Sequence, residues 1–316
     1  MNTSNGVALV SSKKSGRSVA KNVVEQSMSI LFFICGITAI VAVIGITVYM
    51  FIAGAPAIGK IGLLEFLFGA QWKPTASEPL FGILYMILTS LTGTLLAILM
   101  GVPVAIFTAI FLSELAPPFL YKIVRPAVEL LAGIPSVIYG IVGSMLLVPI
   151  VREWEKHLFR DDPTHTFTGG ANLISAVMVL SIMILPTIIN VSENAIRSVP
   201  REYKEASLAM GASHIQTIFR VMLGAARSGI VTSIVLGIGR AIGEAMAIIM
   251  VAGNVTNFPL PFNSVRFLTT AIVTDMAYAA GGIHRESLFS IGLVLFVFIM
   301  VINLLLNVVL KGGDKK

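Results

Sequence analysis

SGIVTSIVLGIGRAIGEAMAIIMVAGN, residues Ser228 to Asn254, is apolar and long enough to cross a bilayer, yet carries Arg240 and Glu244 near its middle. A charge at that depth costs at least about 2.5 kcal/mol on insertion scales, so intramembrane ionisable residues face a bundle interior or a water-filled path. At about 100° per residue, a continuous helix sets Arg240 and Glu244 about 40° apart on one face, within pairing reach. Gly239, Gly243 and Ala247 flank that face, and Val235, Ile238, Ile242, Met246 and Ile249 occupy the other. Small residues admit a neighbouring helix, so the charged side is expected to be the packed side. Two readings follow. The pair only fixes the orientation of the helix, or the guanidinium, planar and always charged, holds an oxyanion through two parallel bonds while Glu244 neutralises it between substrates.

Outward from this stretch, the 316 residues are 56% hydrophobic and 12% charged, against roughly 25% charged in soluble domains. A mean hydropathy of +0.92 agrees, and the class is a polytopic all-α membrane protein. The net charge of +6 is spread over short loops, without the aromatic-studded basic patch that nucleic-acid binding requires. The lone Cys35 excludes an internal disulfide. Ala53-Gly54-Ala55 has the form of a cleavage site, but the apolar run before it is too long for a signal peptide and reads as an uncleaved anchor.

Six spans are expected. A polar tail, residues 1–25, precedes span 1 at about 26–53, and a loop with a short helix near Leu63 to Phe68 leads to span 2 at about 82–112. Pro103 removes an amide donor and should break span 2 near Gly101. Span 3, about 126–151, holds Gly133-Ile-Pro135-Ser136, a kink or a break against a cavity. A polar loop over 152–171 precedes span 4 at about 173–191; the 192–227 loop, span 5, a loop over 255–286 and span 6 at about 287–310 follow, with a tail at 312–316. The membrane domain thus runs from 26 to 311. The side holding both termini carries 14 Lys and Arg against 7 opposite, Arg240 completing the 22. By the positive-inside rule, both termini and the 192–227 loop are cytoplasmic.

That loop has the most specific pattern in the chain. Pro200 and Glu202 start a short helix to Met210 that presents Tyr203, Ala206 and Met210 on one side. Gly211 ends it, and Ser213 caps a second helix with Ile215, Ile218, Phe219 and Met222. A short amphipathic helix projecting from a membrane domain suits a partner's groove.

Glu205-Ala206-Ser207, Gly211 and Val221-Met222-Leu223 resemble the EAA loop of binding-protein-dependent ABC importer permeases. Ser207 departs from the second Ala of that pattern and Gly224 from its usual Pro. Leu112-Ser-Glu114-Leu-Ala-Pro117, Glu129-Leu-Leu-Ala-Gly133-Ile-Pro135-Ser136-Val-Ile-Tyr139-Gly140 and Gly237-Ile-Gly-Arg240-Ala-Ile-Gly-Glu244 narrow the resemblance to the phosphate-specific branch. The resemblance implies a six-helix type I importer (MetI-like) permease fold with a cytoplasmic coupling helix, set in the bacterial inner membrane. It also implies a homologous permease partner, two ATPase subunits and an external phosphate-binding protein. Arg240 and Glu244 then bind substrate, Tyr203, Glu205, Ala206 and Gly211 couple to the ATPase, and Pro103, Pro135 and Ser136 are kink or gate positions. No cofactor is expected in this chain, since it lacks G-x-x-x-x-G-K-[ST] and ATP with Mg²⁺ belongs to the partner. No metal site is expected either, as no His-x-x-x-His pair occurs. The alternatives are a permease for molybdate or sulfate, and a secondary anion transporter, which would carry inverted repeats.

Overall fold

The computed structural model describes residues 15–313, with side chains for residues 21 and 24–304. The first part of the expected polar tail and residues 314–316 lie outside the described residues. The chain divides into two compact units, residues 1–52 and 53–316.

Helix α1, Ser15–Ile61, starts inside the expected tail and runs past the expected end of span 1. In the first unit its side chains are almost all exposed. Thr38 and Thr47 return their hydroxyls to the Ile34 and Val43 carbonyls at 2.8 Å, as polar groups in an apolar surrounding must. In the second unit Gly54 is a packing residue, because a Cβ there would stand 2.9 Å from the Phe289 carbonyl oxygen. Helix α2 covers Leu63–Phe68, as the sequence predicts, and a two-residue hairpin follows, β1 Trp72–Lys73 with β2 Leu80–Phe81.

Helix α3, Leu84–Ile110, continues through Pro103 without the expected break. Its irregularity comes later, in a π turn at Phe111–Leu115. Gly101 serves close approach instead, its missing Cβ lying 2.9 Å from Ile184 Cδ1. Span 3 also differs from expectation. Helix α4, Pro118–Gly133, stops at the extended pair Ile134-Pro135, α5 begins at Ser136 and runs to Val142, and a π turn at Gly143–Leu147 leads into α6, Val148–Leu158. The candidate span is Ser136–Leu158.

The polar loop expected from 152 therefore begins with two more helical turns. Glu155 explains why these turns are ordered. Fully buried, it accepts from the Thr168 N–H at 2.8 Å, the Thr168 hydroxyl at 3.0 Å and the Gly170 N–H at 3.2 Å, and it lies 3.0 Å from His165 Nε2. His165 stacks on Phe159. Gly170 has φ +86°, and a Cβ there would meet the Val148 carbonyl oxygen at 2.1 Å.

Helix α7, Leu173–Arg197, is the centre of the bundle: 61% of its most apolar stretch is buried, against 33% or less for the four other unbroken spans. It packs between α3 and α11, Arg227–Gly243. Ser181 Oγ reaches the Ala97 carbonyl on α3 at 3.2 Å, and Ser192 pairs with Ser233 on α11 at 2.7 Å. These are the interhelical hydrogen bonds that apolar surroundings favour. A Cβ on Gly237 would lie 2.7 Å from Ile188 Cδ1. Gly237→Val is expected to cost about 1–3 kcal/mol by overpacking, read as a lower melting temperature of the detergent-purified chain. An unchanged melt would remove Gly237 from the α7–α11 contact.

Between α7 and α11 come α8 (Arg201–Ala209), α9 (His214–Gln216), a π turn (Thr217–Met222) and α10 (Leu223–Ala225). Ser213 and Gln216 form a capping box, and Gly211 takes the left-handed φ of +85° that ends a helix. The His214–Ala225 segment meets α11 at a 71° bend, and that bent pair is the sixth candidate span. Helix α12, Leu268–Met276, replaces part of the expected 255–286 loop, and α13 is Ile283–Gly313. Asp275 on α12 ties the outer elements together, accepting from Trp72 Nε1 at 3.0 Å and pairing with Arg266. Burial pushes its carboxyl upward, but these donors outweigh burial and hold it below the ordinary aspartate value.

Candidate functional site

Span 5 is not a continuous helix. After Gly243 the backbone turns extended at Glu244, and a short 3-10 turn covers Ile248–Met250. The Glu244 carboxylate accepts the Ala247 N–H at 2.9 Å, capping that turn, and its carbonyl accepts from Thr269 Oγ1 at 2.6 Å. The one-face Arg240–Glu244 pair expected from helical projection is therefore absent: Glu244 is spent on the backbone of the segment it starts.

Arg240 instead donates from Nη1 to Thr187 Oγ1 on α7 at 3.1 Å, its one side-chain hydrogen bond among the described residues. Its charge is also in electrostatic range of Tyr139 on α5. The guanidinium is half-buried and faces no carboxylate within ion-pair distance among the described residues. Of its five N–H donors, four remain for a ligand, in the planar fork that matches an oxyanion.

The expected faces of α11 are also corrected. The buried ridge is Ile230, Ser233, Gly237 and Ala241, and Ile242 is buried on another face. A Cβ on Gly239 or Gly243 would have nothing within 4 Å. The open side of this chain is thus the Gly239 and Gly243 side, and Arg240 stands between it and the packed ridge, whose centre lies about 65° from Arg240.

The two sequence blocks singled out above meet here. A Cβ on Gly140 would lie 2.9 Å from Ala247 Cα and 3.0 Å from Met250 Sδ, so α5 sits directly on the turn that Glu244 caps. The Gly133-to-Pro135 break thereby delivers Tyr139 to the neighbourhood of Arg240, its hydroxyl donating back to the Leu131 carbonyl at 2.7 Å. Thr187 is the member of this group that sequence reasoning missed. The signal was available: Pro186-Thr187 puts a proline and a hydroxyl into the apolar run of span 4. One turn on, Asn190 Oδ1 is buried without a hydrogen-bond partner among the described residues.

At the other end, α8 buries none of its residues. Tyr203, Glu205, Ala206 and Met210 are exposed together, Met210 at 89%. Ile218 and Met222 of the second segment are buried, whereas Ile215 and Phe219 remain exposed. A six-span α bundle with an unburied short helix on the 192–227 loop, an intramembrane guanidinium and a broken span beside it describes an importer membrane subunit. The chain belongs to the family of binding-protein-dependent transport system inner membrane components, whose model matches residues 101–315.

Among its relatives, it is 38% identical over 279 residues to the probable ABC transporter permease protein YqgH of Bacillus subtilis, covering 86% of this chain and 87% of that protein. It is 33% identical to the phosphate transport system permease protein PstC of Pasteurella multocida over 80% of this chain and 81% of that one. The figure is 35% for PstC of Haemophilus influenzae, over 76% and 79%. Its fold is similar to a chain of a bacterial ABC transporter involved in the import of the acidic polysaccharide alginate, with a TM-score of 0.59, 19% identity, and coverage of 93% of this chain and 98% of that one. It is also similar to a chain of the inward-facing MetNI methionine ABC transporter, at 0.54 and 18%, covering 73% and 94%.

Proposed function

We propose that this chain is the permease subunit of an ATP-driven importer of inorganic phosphate and forms half of its translocation pathway. The observation that carries the reading is Arg240: an intramembrane guanidinium with one neutral partner among the described residues, at the edge of the open Gly239 and Gly243 side of α11, in a chain similar to phosphate permeases. Phosphate binds through the free guanidinium donors. The carboxylate oxygen of Glu244 that does not cap Ala247 accepts a hydrogen bond from the protonated oxyanion, a donor that a sulfate dianion lacks.

The pathway is completed by a homologous, PstA-like permease facing Gly239, Arg240 and Gly243. Two PstB-like ATPase subunits bind ATP and Mg²⁺ and dock on α8 through Tyr203, Glu205 and Ala206, with Gly211 setting the sharp exit from that helix. A PstS-like binding protein delivers phosphate from outside. Both termini and the 192–227 loop are cytoplasmic in the bacterial inner membrane, and the Gly133-to-Ser136 break acts as the gate beside Arg240.

The test is uptake of labelled phosphate by the complex co-purified with a tagged chain and reconstituted in vesicles. Unlabelled phosphate is expected to compete, and sulfate and molybdate are not. Preferred competition by either of those ions would reassign the substrate, and uptake without any co-purifying ATPase would reassign the class.

A further inference from the structure

Helix α8 has no buried side chain, and among the described residues two side-chain hydrogen bonds tie it to the rest of the chain. Lys204 Nζ donates to Glu114 Oε2 at 2.5 Å, and Ser207 Oγ meets Thr217 Oγ1 at 2.9 Å. A cavity of about 440 Å³ opens beside the first of these, between α8, the π turn after α3 and the end of α7. The ion pair is therefore the direct tie between α8 and the π turn after α3.

Glu114 belongs to the Phe111–Leu115 π turn, where the Ala116 N–H reaches back five residues to the Phe111 carbonyl at 2.7 Å. The next donor in that register would be Pro117, which has no N–H. The Leu112 carbonyl is left over, and Arg197 Nη2 takes it at 2.9 Å. Arg197 lies over the Tyr121 ring at 4.6 Å and donates from Nε to Glu193 Oε1 at 2.9 Å. Glu193 is fully buried, and its second oxygen accepts from Arg125 Nη1 at 2.6 Å. Arg125 Nε ends the series on Glu129 at 2.7 Å. Arg125 and Glu129 ride on α4, which ends at Gly133, and the Tyr139–Leu131 bond carries α4 across the break to the Arg240 site.

We infer that Lys204, Glu114, Arg197, Glu193 and Arg125 form the linkage that transmits movement of α8 to the segment beside Arg240. These are positioning residues, touching neither ATP nor substrate. Parting from Arg125 would leave the fully buried Glu193 only the half-exposed Arg197 of its own helix, and Arg197 in turn holds the Leu112 carbonyl, so α4, α7 and the π turn move together. The inference rests on the reading of α8 as the ATPase contact and of Arg240 as the anion ligand.

The experiment measures phosphate uptake and ATP hydrolysis together in the reconstituted complex. Glu114→Gln and Glu193→Gln are expected to keep basal ATP hydrolysis and to lower phosphate moved per ATP by about three- to thirty-fold. The exchange Glu114→Lys with Lys204→Glu should regain most of that ratio. A wild-type ratio in Glu114→Gln, or no recovery in the exchange, overturns the linkage. Should Glu193→Gln fail to assemble, the Glu114 arm decides alone, because that side chain sits at a helix end with a partly exposed partner. Tyr203→Ala separates the two readings. Lost stimulation there beside a normal Glu114→Gln defeats the linkage only, whereas normal stimulation in Tyr203→Ala defeats the docking assignment.

Discussion

Arg240→Ala is expected to lower phosphate uptake at least about a hundredfold, since two charge-assisted hydrogen bonds at about 1.5 kcal/mol each would be lost. The complex should still assemble. Arg240 gives the fold of this chain a single 3.1 Å bond to Thr187, and it is half-exposed. Arg240→Lys keeps the charge but loses the planar fork, so uptake should also fall, with a residual rate above that of Ala. Thr187→Val removes the one neutral anchor without touching charge and should weaken uptake far less than either. Full transport by Arg240→Ala, with the ATPase still co-purifying, would end the ligand assignment.

The largest effect on stability is expected at Glu155. Its carboxylate holds the Thr168 and Gly170 amides, the Thr168 hydroxyl and the His165 ring, all brought against the end of α6. Glu155→Ala strands these donors in a buried place, at about 1–3 kcal/mol for each one left unsatisfied. A loss of about 3 kcal/mol or more in the detergent-purified protein is expected, whereas Glu155→Gln, which keeps one acceptor oxygen, should lose less. Proteolysis within 160–170 should accelerate in parallel. A Glu155→Ala melt matching the wild type would show that the 165–170 loop is held by something else.

Where helical signals were local, the sequence was legible. Pro200, Gly211 and Ser213 mark the ends of α8 and α9 through φ restriction, left-handed backbone and a capping hydroxyl, and none of these depends on distant contacts. Asn172 likewise caps α7 by accepting the Ser175 N–H. What was not legible were the places where a tertiary partner overrides periodicity. Gly239 and Gly243 read as a packing seam, yet Gly243 ends the helix and Gly237 does the packing, because Ile188 stands opposite Gly237 alone. Pro103 read as a break, but α3 is pressed so closely on α7 at Gly101 that the helix runs on. Glu193 and Arg197 stand four residues apart on one helix, but their ties to Arg125 and Leu112 span 68 and 85 residues and leave no local signal. The Arg125–Glu129 pair, four residues apart on one helix, was predictable for the opposite reason.

The π turn at Phe111–Leu115 ends the helical span, the backbone turning extended at Ala116. It accommodates one residue more than an α turn, so the residues in its second half are clocked back by up to about 100° relative to a ruler laid along α3. Glu114 points at Lys204 on the strength of that surplus residue. Deleting one residue from the turn would restore regular winding and swing the carboxylate aside, an angular error that no replacement of the side chain itself could imitate.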